Sequence, residues 1–218
     1  MTTTTRTGTA TVMNIAPIVL AAGQSRRFGT ANKLLADFHG EPLIVRTVRQ
    51  LCAVRAAWPP IVVIGPNSVA LAAALNAAKL EPAPRFVINP HAADGVGTSI
   101  AAGISSLDPK FAAAIITPGD MPFLSTALID TLIAAFLADG GHQPTHPILA
   151  DGTQMSPVVW PRRLFSQLAA LTGDSGGKSI LKHEQCCSVS LSNPLDLADI
   201  DTPGDLARLQ QPVGKSRG

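Results

Sequence analysis

Through residue 138, short apolar runs of four to six residues alternate with longer amphipathic stretches. No other feature constrains the fold as much. A short apolar strand followed by a helix, repeated several times, builds a parallel sheet covered on both faces. Pro17–Ala22, Ile61–Ile64, Arg85–Ile88 and Ala112–Thr117 read as strands. Pro42–Val54, Ser68–Ala78, Thr98–Leu107 and Ser125–Ala138 read as helices, with Ser125 placed to cap the last. The expected class is α/β.

The second half is less regular. His146–Leu149 and Pro157–Trp160 read as strands around a turn at Asp151-Gly152. Arg162–Leu171 and Lys178–His183 read as helices, Ser188–Leu191 and Leu197–Ile200 as strands. Pro203–Gln210 closes the chain as a helix with proline in its first turn. No long polar linker or internal repeat divides the sequence. One domain over residues 15–211 with a β-rich addition is expected, between mobile tails at 1–14 and 212–218. The first residues lack the basic start and apolar core of a secretory signal, and Met13 is as eligible a start as Met1.

Composition narrows the function. The 218 residues carry 17 basic and 15 acidic side chains, a net charge of +2. So small an excess argues against nucleic acid as a partner, as do 4% aromatics and no tyrosine. Mean hydropathy is +0.25. Yet the longest apolar runs, such as Ile15–Ala22 and Phe111–Ile116, fall far short of the ~20 residues of a membrane span, so no membrane partner is expected. Cys52, Cys186 and Cys187 form no C-x-x-C pair and read as reduced, small hydrophobes, which suits the cytoplasm. His39, His91, His142, His146 and His183 are scattered without metal-ligand spacing.

Ligands of open α/β sheets sit at the carboxyl ends of the strands. Three such ends carry chemistry. Leu20-Ala21-Ala22-Gly23-Gln24-Ser25-Arg26-Arg27-Phe28-Gly29 leads to Asn32-Lys33. Small residues let the backbone approach a phosphate, which Arg27 and Lys33 can neutralise. The loop fits neither Walker A nor the dinucleotide G-x-G-x-x-G, and a solvated surface turn is the plainer alternative. Thr117-Pro118-Gly119-Asp120-Met121-Pro122 puts a carboxylate where a hard cation on nucleotide phosphates would sit, or else an ordinary turn aspartate. Asp199-Ile200-Asp201-Thr202-Pro203 offers a second carboxylate in Asp201, next to a helix start that Asp201 or Thr202 would cap. Asp94-Gly95-Val96-Gly97-Thr98-Ser99 can meet a base, ribose or phosphate at a helix start. Gly173-Asp174-Ser175-Gly176-Gly177-Lys178-Ser179 ends in G-K-S, but its first glycine falls one residue late for Walker A and the preceding segment reads as helix. It stays a candidate for an anionic acceptor.

In this order and spacing, L-A-A-G-Q-S-R-R-F-G with N-K, then G-D-M-P, then D-I-D-T-P-x-D-L, resembles the molybdenum cofactor nucleotidyltransferases. These are MobA-like NTP transferases, and the resemblance is to their molybdopterin cytidylyltransferase branch, over about Pro17–Leu209. It implies a Rossmann-like three-layer sandwich with a mixed, mostly parallel central sheet of the nucleotide-diphospho-sugar transferase type. It implies Mg2+-dependent transfer of CMP from CTP to molybdopterin with release of pyrophosphate. Carried over by motif, Leu20, Ala21, Ala22 and Gly23 contact the nucleotide through their backbone, with Arg26 beside them. Arg27 and Lys33 bind the triphosphate, and Asp120 and Asp201 hold the magnesium. Gly97, Thr98 and Ser99 stand where the family places nucleotide contacts. Gly173, Asp174, Gly176, Gly177 and Lys178 resemble the acceptor loop, with Lys178 where an arginine is common. Ala22, where the guanylyl branch tends to carry glycine, favours CTP over GTP. A molybdoenzyme or its maturation chaperone is the implied protein partner. Alternatives are transfer from GTP, another phosphorylated acceptor, a non-catalytic cofactor escort, and a reductase using a nicotinamide cofactor, although the dinucleotide fingerprint is missing.

Overall fold

The computed structural model describes residues 13–23, 28, 32–54, 58–191 and 194–210. The expected alternation is present. Strand β1 (Ile15–Leu20) is followed by a hairpin of two-residue strands, β2 (Asp37–Phe38) and β3 (Glu41–Pro42), and by helix α1 (Leu43–Cys52). Next come β4 (Ile61–Ile64), α2 (Val69–Ala77), β5 (Arg85–Ile88), α3 (Val96–Ser105), β6 (Ala113–Pro118) and α4 (Thr126–Ala138). The second half adds β7 (Thr145–Ile148), β8 (Val158–Pro161), α5 (Phe165–Ala169), α6 (Lys178–Leu181), β9 (Cys187–Ser190) and α7 (Pro203–Leu209).

Seven strands form one sheet in the order β5-β4-β1-β6-β8-β7-β9. The first four are parallel, β8 runs antiparallel to β6 and to β7, and β9 is parallel to β7. The β-rich addition therefore extends the central sheet instead of forming a separate one. Alternate strand residues feed opposite faces, as the pleat requires. Ile15, Val19, Val62 and Ile115 pack under α1, α2 and α4. Ala16, Ile18, Val63, Ile116 and Trp160 pack under α3, α5 and α6. Each fully buried Ile or Leu contributes ~1.5–3 kcal/mol. That explains why these strands are apolar at every position, not at every second one.

Several elements depart from expectation. Leu197–Ile200 is not a strand: a 3-10 turn occupies Pro194–Leu197 and the chain continues irregularly to Thr202. Leu197 and Ile200 are buried as expected, but three residues apart on a bend, and the Ile200 N–H donates to the Asp120 carbonyl (3.1 Å), not to a ladder. Arg162–Leu171 splits into a 3-10 turn at Arg162–Leu164 and the short α5. The hairpin β2–β3 was too short to show a period, and its turn uses positive φ at His39 (55°) and Gly40 (88°). Met13 and Asn14, expected in the mobile tail, are seated: Met13 packs on the core and the Asn14 side chain donates to the Lys110 carbonyl (3.3 Å). The rest of both expected tails lies outside the described residues. Ser125 caps α4 as expected, accepting from the Leu128 N–H at 3.2 Å. No described helix is long and apolar enough to cross a membrane.

Candidate active site

From β1 the chain moves outward through β4 to β5, then returns through α3 to β6 on the other side of β1. The order therefore reverses between β1 and β6, and a crevice forms beyond their carboxyl ends. A cavity of about 480 Å³ lies there, and Leu20, Ala22, Gly23, Lys33, Asp120 and Asp201 are among its walls.

Each charged side chain is delivered by a local device. Asp120 follows β6 on a loop held tightly to α1. The Gly119 N–H donates to the Leu20 carbonyl (3.0 Å), and a Cβ at Gly119 would stand 2.7 Å from Ile44 Cδ1. The Thr47 hydroxyl donates to the Met121 carbonyl (3.2 Å) and Arg46 Nε to the Pro122 carbonyl (2.8 Å). Met121 itself is buried. Asp201 is carried in by buried Leu197 and Ile200 and by the Ile200–Asp120 backbone bond. It stops one residue short of α7, whose cap is Thr202. The Thr202 hydroxyl accepts from the Asp205 N–H (3.1 Å) while the Asp205 carboxylate accepts from the Thr202 N–H (3.0 Å), a closed capping box that leaves Asp201 out of capping. Lys33 opens a 3-10 turn that Asn32 caps by accepting from the Leu34 N–H at 3.0 Å.

Lys33 Nζ lies 2.5 Å from Asp120 Oδ2 and 2.9 Å from Asp201 Oδ1. Burial pulls the ammonium pKa down, but the two carboxylates outweigh it, Asp120 most, and hold it above the ordinary lysine value. Asp199 is pushed up, by desolvation first and then by the charges of Asp120 and Asp201. So carboxylate charge is concentrated at this end of the sheet, and Lys33 compensates part of it.

Asp120 Oδ1 is buried with no hydrogen-bond partner among the described residues. An unpaired buried carboxylate oxygen is costly unless it meets a cation or donor. Hard carboxylate oxygens suit a divalent ion such as magnesium or manganese. No group of three or more His, Cys, Asp or Glu converges among the described residues to hold a metal alone. Asp120 and Asp201 therefore fit a cation whose remaining ligands come from water and substrate phosphates, as is usual for magnesium on nucleotides.

The other expected site residues are distributed unevenly. Leu20, Ala22 and Gly23 line the cavity, whereas Ala21 is turned into the core with its N–H donated to the Val63 carbonyl (2.8 Å). Arg26 and Arg27 lie outside the described residues. Of the trio at the start of α3, only Ser99 is a wall of the cavity. The Gly97 N–H is taken by the Gly173 carbonyl (2.9 Å), and the Thr98 hydroxyl hydrogen is shared between the carbonyls of His91 and Gly95 (both 2.8 Å). In the expected acceptor loop, Asp174 reaches the cavity. Gly173 acts as the seat for Gly97, Gly177 packs on the Trp160 ring, and Lys178 is exposed at the start of α6. The two loops touch because Gly95 has φ +121° and a Cβ there would stand 2.3 Å from Gly173. Sequence reasoning missed Ala92 and Ala93 as walls. It also missed Arg46 and Thr47, which sit on a helix read only for its apolar face.

The described part of this arrangement has relatives. The MobA-like NTP transferase domain matches residues 17–188. Nicotine blue oxidoreductase of Paenarthrobacter nicotinovorans is 26% identical over 204 residues, 89% of this chain and 92% of that protein. The 2-C-methyl-D-erythritol 4-phosphate cytidylyltransferase of Streptomyces avermitilis is 27% identical over 150 residues, 67% of this chain and 59% of that one. Among solved structures, Rv0371c from Mycobacterium tuberculosis superimposes with a TM-score of 0.73 at 24% identity, covering 92% of this chain and 98% of its own. A further structure of Rv0371c is a complex with manganese. At that identity the likeness speaks for the fold. The motif order and the span of the domain match carry the conclusion: the chain belongs to the MobA-like NTP transferase family, a family of nucleotidyltransferases.

Proposed function

We propose that the protein transfers CMP from CTP to the terminal phosphate of molybdopterin, releasing pyrophosphate, with Mg2+ held by Asp120 and Asp201. The observation that carries this reading is the Lys33–Asp120–Asp201 cluster at the topological switch point, with Asp120 Oδ1 left for a cation. Backbone groups of Leu20, Ala22 and Gly23 flank the nucleotide. Lys33 exchanges a carboxylate for phosphate oxygens when the triphosphate enters, and Arg26 and Arg27, a few positions earlier in the sequence, add positive charge for the same phosphates. Bound magnesium would neutralise charge on the phosphates and on the departing pyrophosphate. The residues align the acceptor phosphate for in-line attack on the α-phosphorus, so no covalent enzyme intermediate is needed. Asp174, a wall of the cavity on a loop stitched to the start of α3, supports reading that loop as the acceptor contact.

CTP is preferred because Ala22 adds a methyl group to the cavity wall, which suits the smaller pyrimidine. The cytidylyltransferase from S. avermitilis agrees with that choice. Pyrophosphate release measured across the four triphosphates, with and without molybdopterin, tests it. Release with CTP that depends on molybdopterin supports the reading. Preference for GTP refutes the nucleotide, and release driven by another phosphorylated acceptor refutes molybdopterin. A second reading, reduction of a small molecule with a nicotinamide cofactor, is supported by the likeness to a nicotine blue oxidoreductase. Oxidation of NADH or NADPH by an added conjugated dye, with no pyrophosphate release from any triphosphate, selects it.

A further inference from the structure

Asn89 follows β5, is 2% exposed, and has every side-chain hydrogen-bonding atom engaged. Its Oδ1 accepts the His91 N–H at 2.9 Å. A backbone amide can only donate, so this bond fixes the orientation of the carboxamide. The Nδ2 group must then face the start of α3, where it donates to Thr98 Oγ1 (2.9 Å) and Ser99 Oγ (3.0 Å). Both hydroxyls therefore act as acceptors toward Asn89. The hydrogen of Thr98 is taken by backbone carbonyls. The hydroxyl hydrogen of Ser99 cannot point at the Nδ2 group, and Ser99 is a wall of the cavity.

We propose that Asn89 is a positioning residue for substrate recognition. It turns the Ser99 hydroxyl into a donor aimed at the cavity, where it meets an acceptor atom on the base or ribose of the nucleotide. The inference rests on the proposed nucleotide site and adds to it a reason why one hydroxyl there donates. Asn89 touches no substrate; it acts through Ser99.

The test is a double-mutant cycle on the full chain, using Asn89→Ala, Ser99→Ala and the double variant, with KM for CTP and kcat measured for each. One lost hydrogen bond is worth about five- to tenfold in KM, with kcat within about twofold, because the contact is made equally in ground and transition states. If Asn89 acts through Ser99, its substitution raises KM when Ser99 is present and at least threefold less when Ser99→Ala is already in place. Should Asn89→Ala fail to fold, the near-isosteric Asn89→Asp replaces it, because the carboxylate keeps the His91 bond and claims the Ser99 hydrogen. The same background dependence is expected. Equal effects in both backgrounds, or a fall in kcat with KM unchanged, overturn the assignment. A wild-type chain that turns over no triphosphate overturns the proposed function, and with it this refinement. Turnover by the wild type with an additive cycle overturns the role of Asn89 alone.

Discussion

Replacing Lys33 by methionine tests the electrostatics of the site directly. The substitution keeps an unbranched, apolar stem and removes the ammonium that joins Asp120 to Asp201 at 2.5 and 2.9 Å. Breaking a fully buried pair by removing one partner costs ~3–5 kcal/mol. The side chains of Lys33 and Asp120 are only 16% and 12% exposed, but Asp201 is 42% exposed and partly screened, so the loss falls to about 2–3 kcal/mol. For a domain of this size each kcal/mol moves Tm by ~2–4 °C, which predicts a fall of about 4–12 °C. The variant then leaves Asp120 without its ammonium partner where a divalent cation fits. Mn2+ at about one hundred times its Kd adds ~2.7 kcal/mol and restores ~5–10 °C. Differential scanning calorimetry of wild type, Lys33→Met and Lys33→Met/Asp120→Asn, with and without Mn2+, reads both effects. The restoration should be largest in the single variant and absent in the double. If Mn2+ raises all three Tm values equally, the cation is bound elsewhere and the reasoning fails.

Asp120→Ala should abolish nearly all pyrophosphate release while the chain stays folded, and near-normal turnover with magnesium would remove Asp120 from the metal role. Gly119→Ala pushes a methyl group to 2.7 Å from Ile44 Cδ1 and 3.2 Å from the Leu20 carbonyl, so kcat should fall more than tenfold through displacement of Asp120. The raised pKa of Lys33 means that its stabilisation is complete below its ordinary value of 10.5 and is lost as pH rises through the higher folded value. Alkaline unfolding of the wild type should therefore be steeper than that of Lys33→Met. Thr202→Ala opens the capping box of α7 and should cost ~1 kcal/mol by urea unfolding. Asp205, whose pKa is lowered to about 2 by Arg208 and by Thr202, gives stability present above 3.8 and lost as pH falls toward 2; in Thr202→Ala that acid dependence should shrink. Cys52, its thiol pushed up to about 11 by burial, should react with an aromatic disulfide far more slowly than Cys187.

The sheet was legible because buried parallel strands need apolar residues at nearly every position, and Ile61–Ile64 or Ala112–Thr117 could be little else. Lys33 and Asp120 were legible from the strand ends they follow, and Asp201 from its place beside a helix cap, although the strand expected before it is a bend. What escaped detection depended on contacts distant in sequence. Leu197 and Ile200 look like strand residues, yet they are pins that press a bend against the loop of Asp120. Gly97 looks like a phosphate-binding glycine, but its N–H belongs to Gly173, 76 positions on (173 − 97). Asn89-Pro90 reads as an ordinary turn signal, and nothing in it shows that the same carboxamide also reaches Thr98 and Ser99 at the start of α3.

The bond between Lys33 and Asp201 closes a loop of 168 residues. At ~5–20 residues per second, a chain being synthesised exposes its lysine roughly 8–35 s, and its first carboxylate roughly 4–16 s, before the second carboxylate exists. Until then the nascent sheet carries a cation and one anion beside an open crevice, with the bend that presses against Asp120 still unmade. A chain cut just before Asp201 would keep nearly all of its core and lack the second carboxylate of the proposed site. In the proposed mechanism the segment that carries Asp201 is thus a condition of activity far more than of folding.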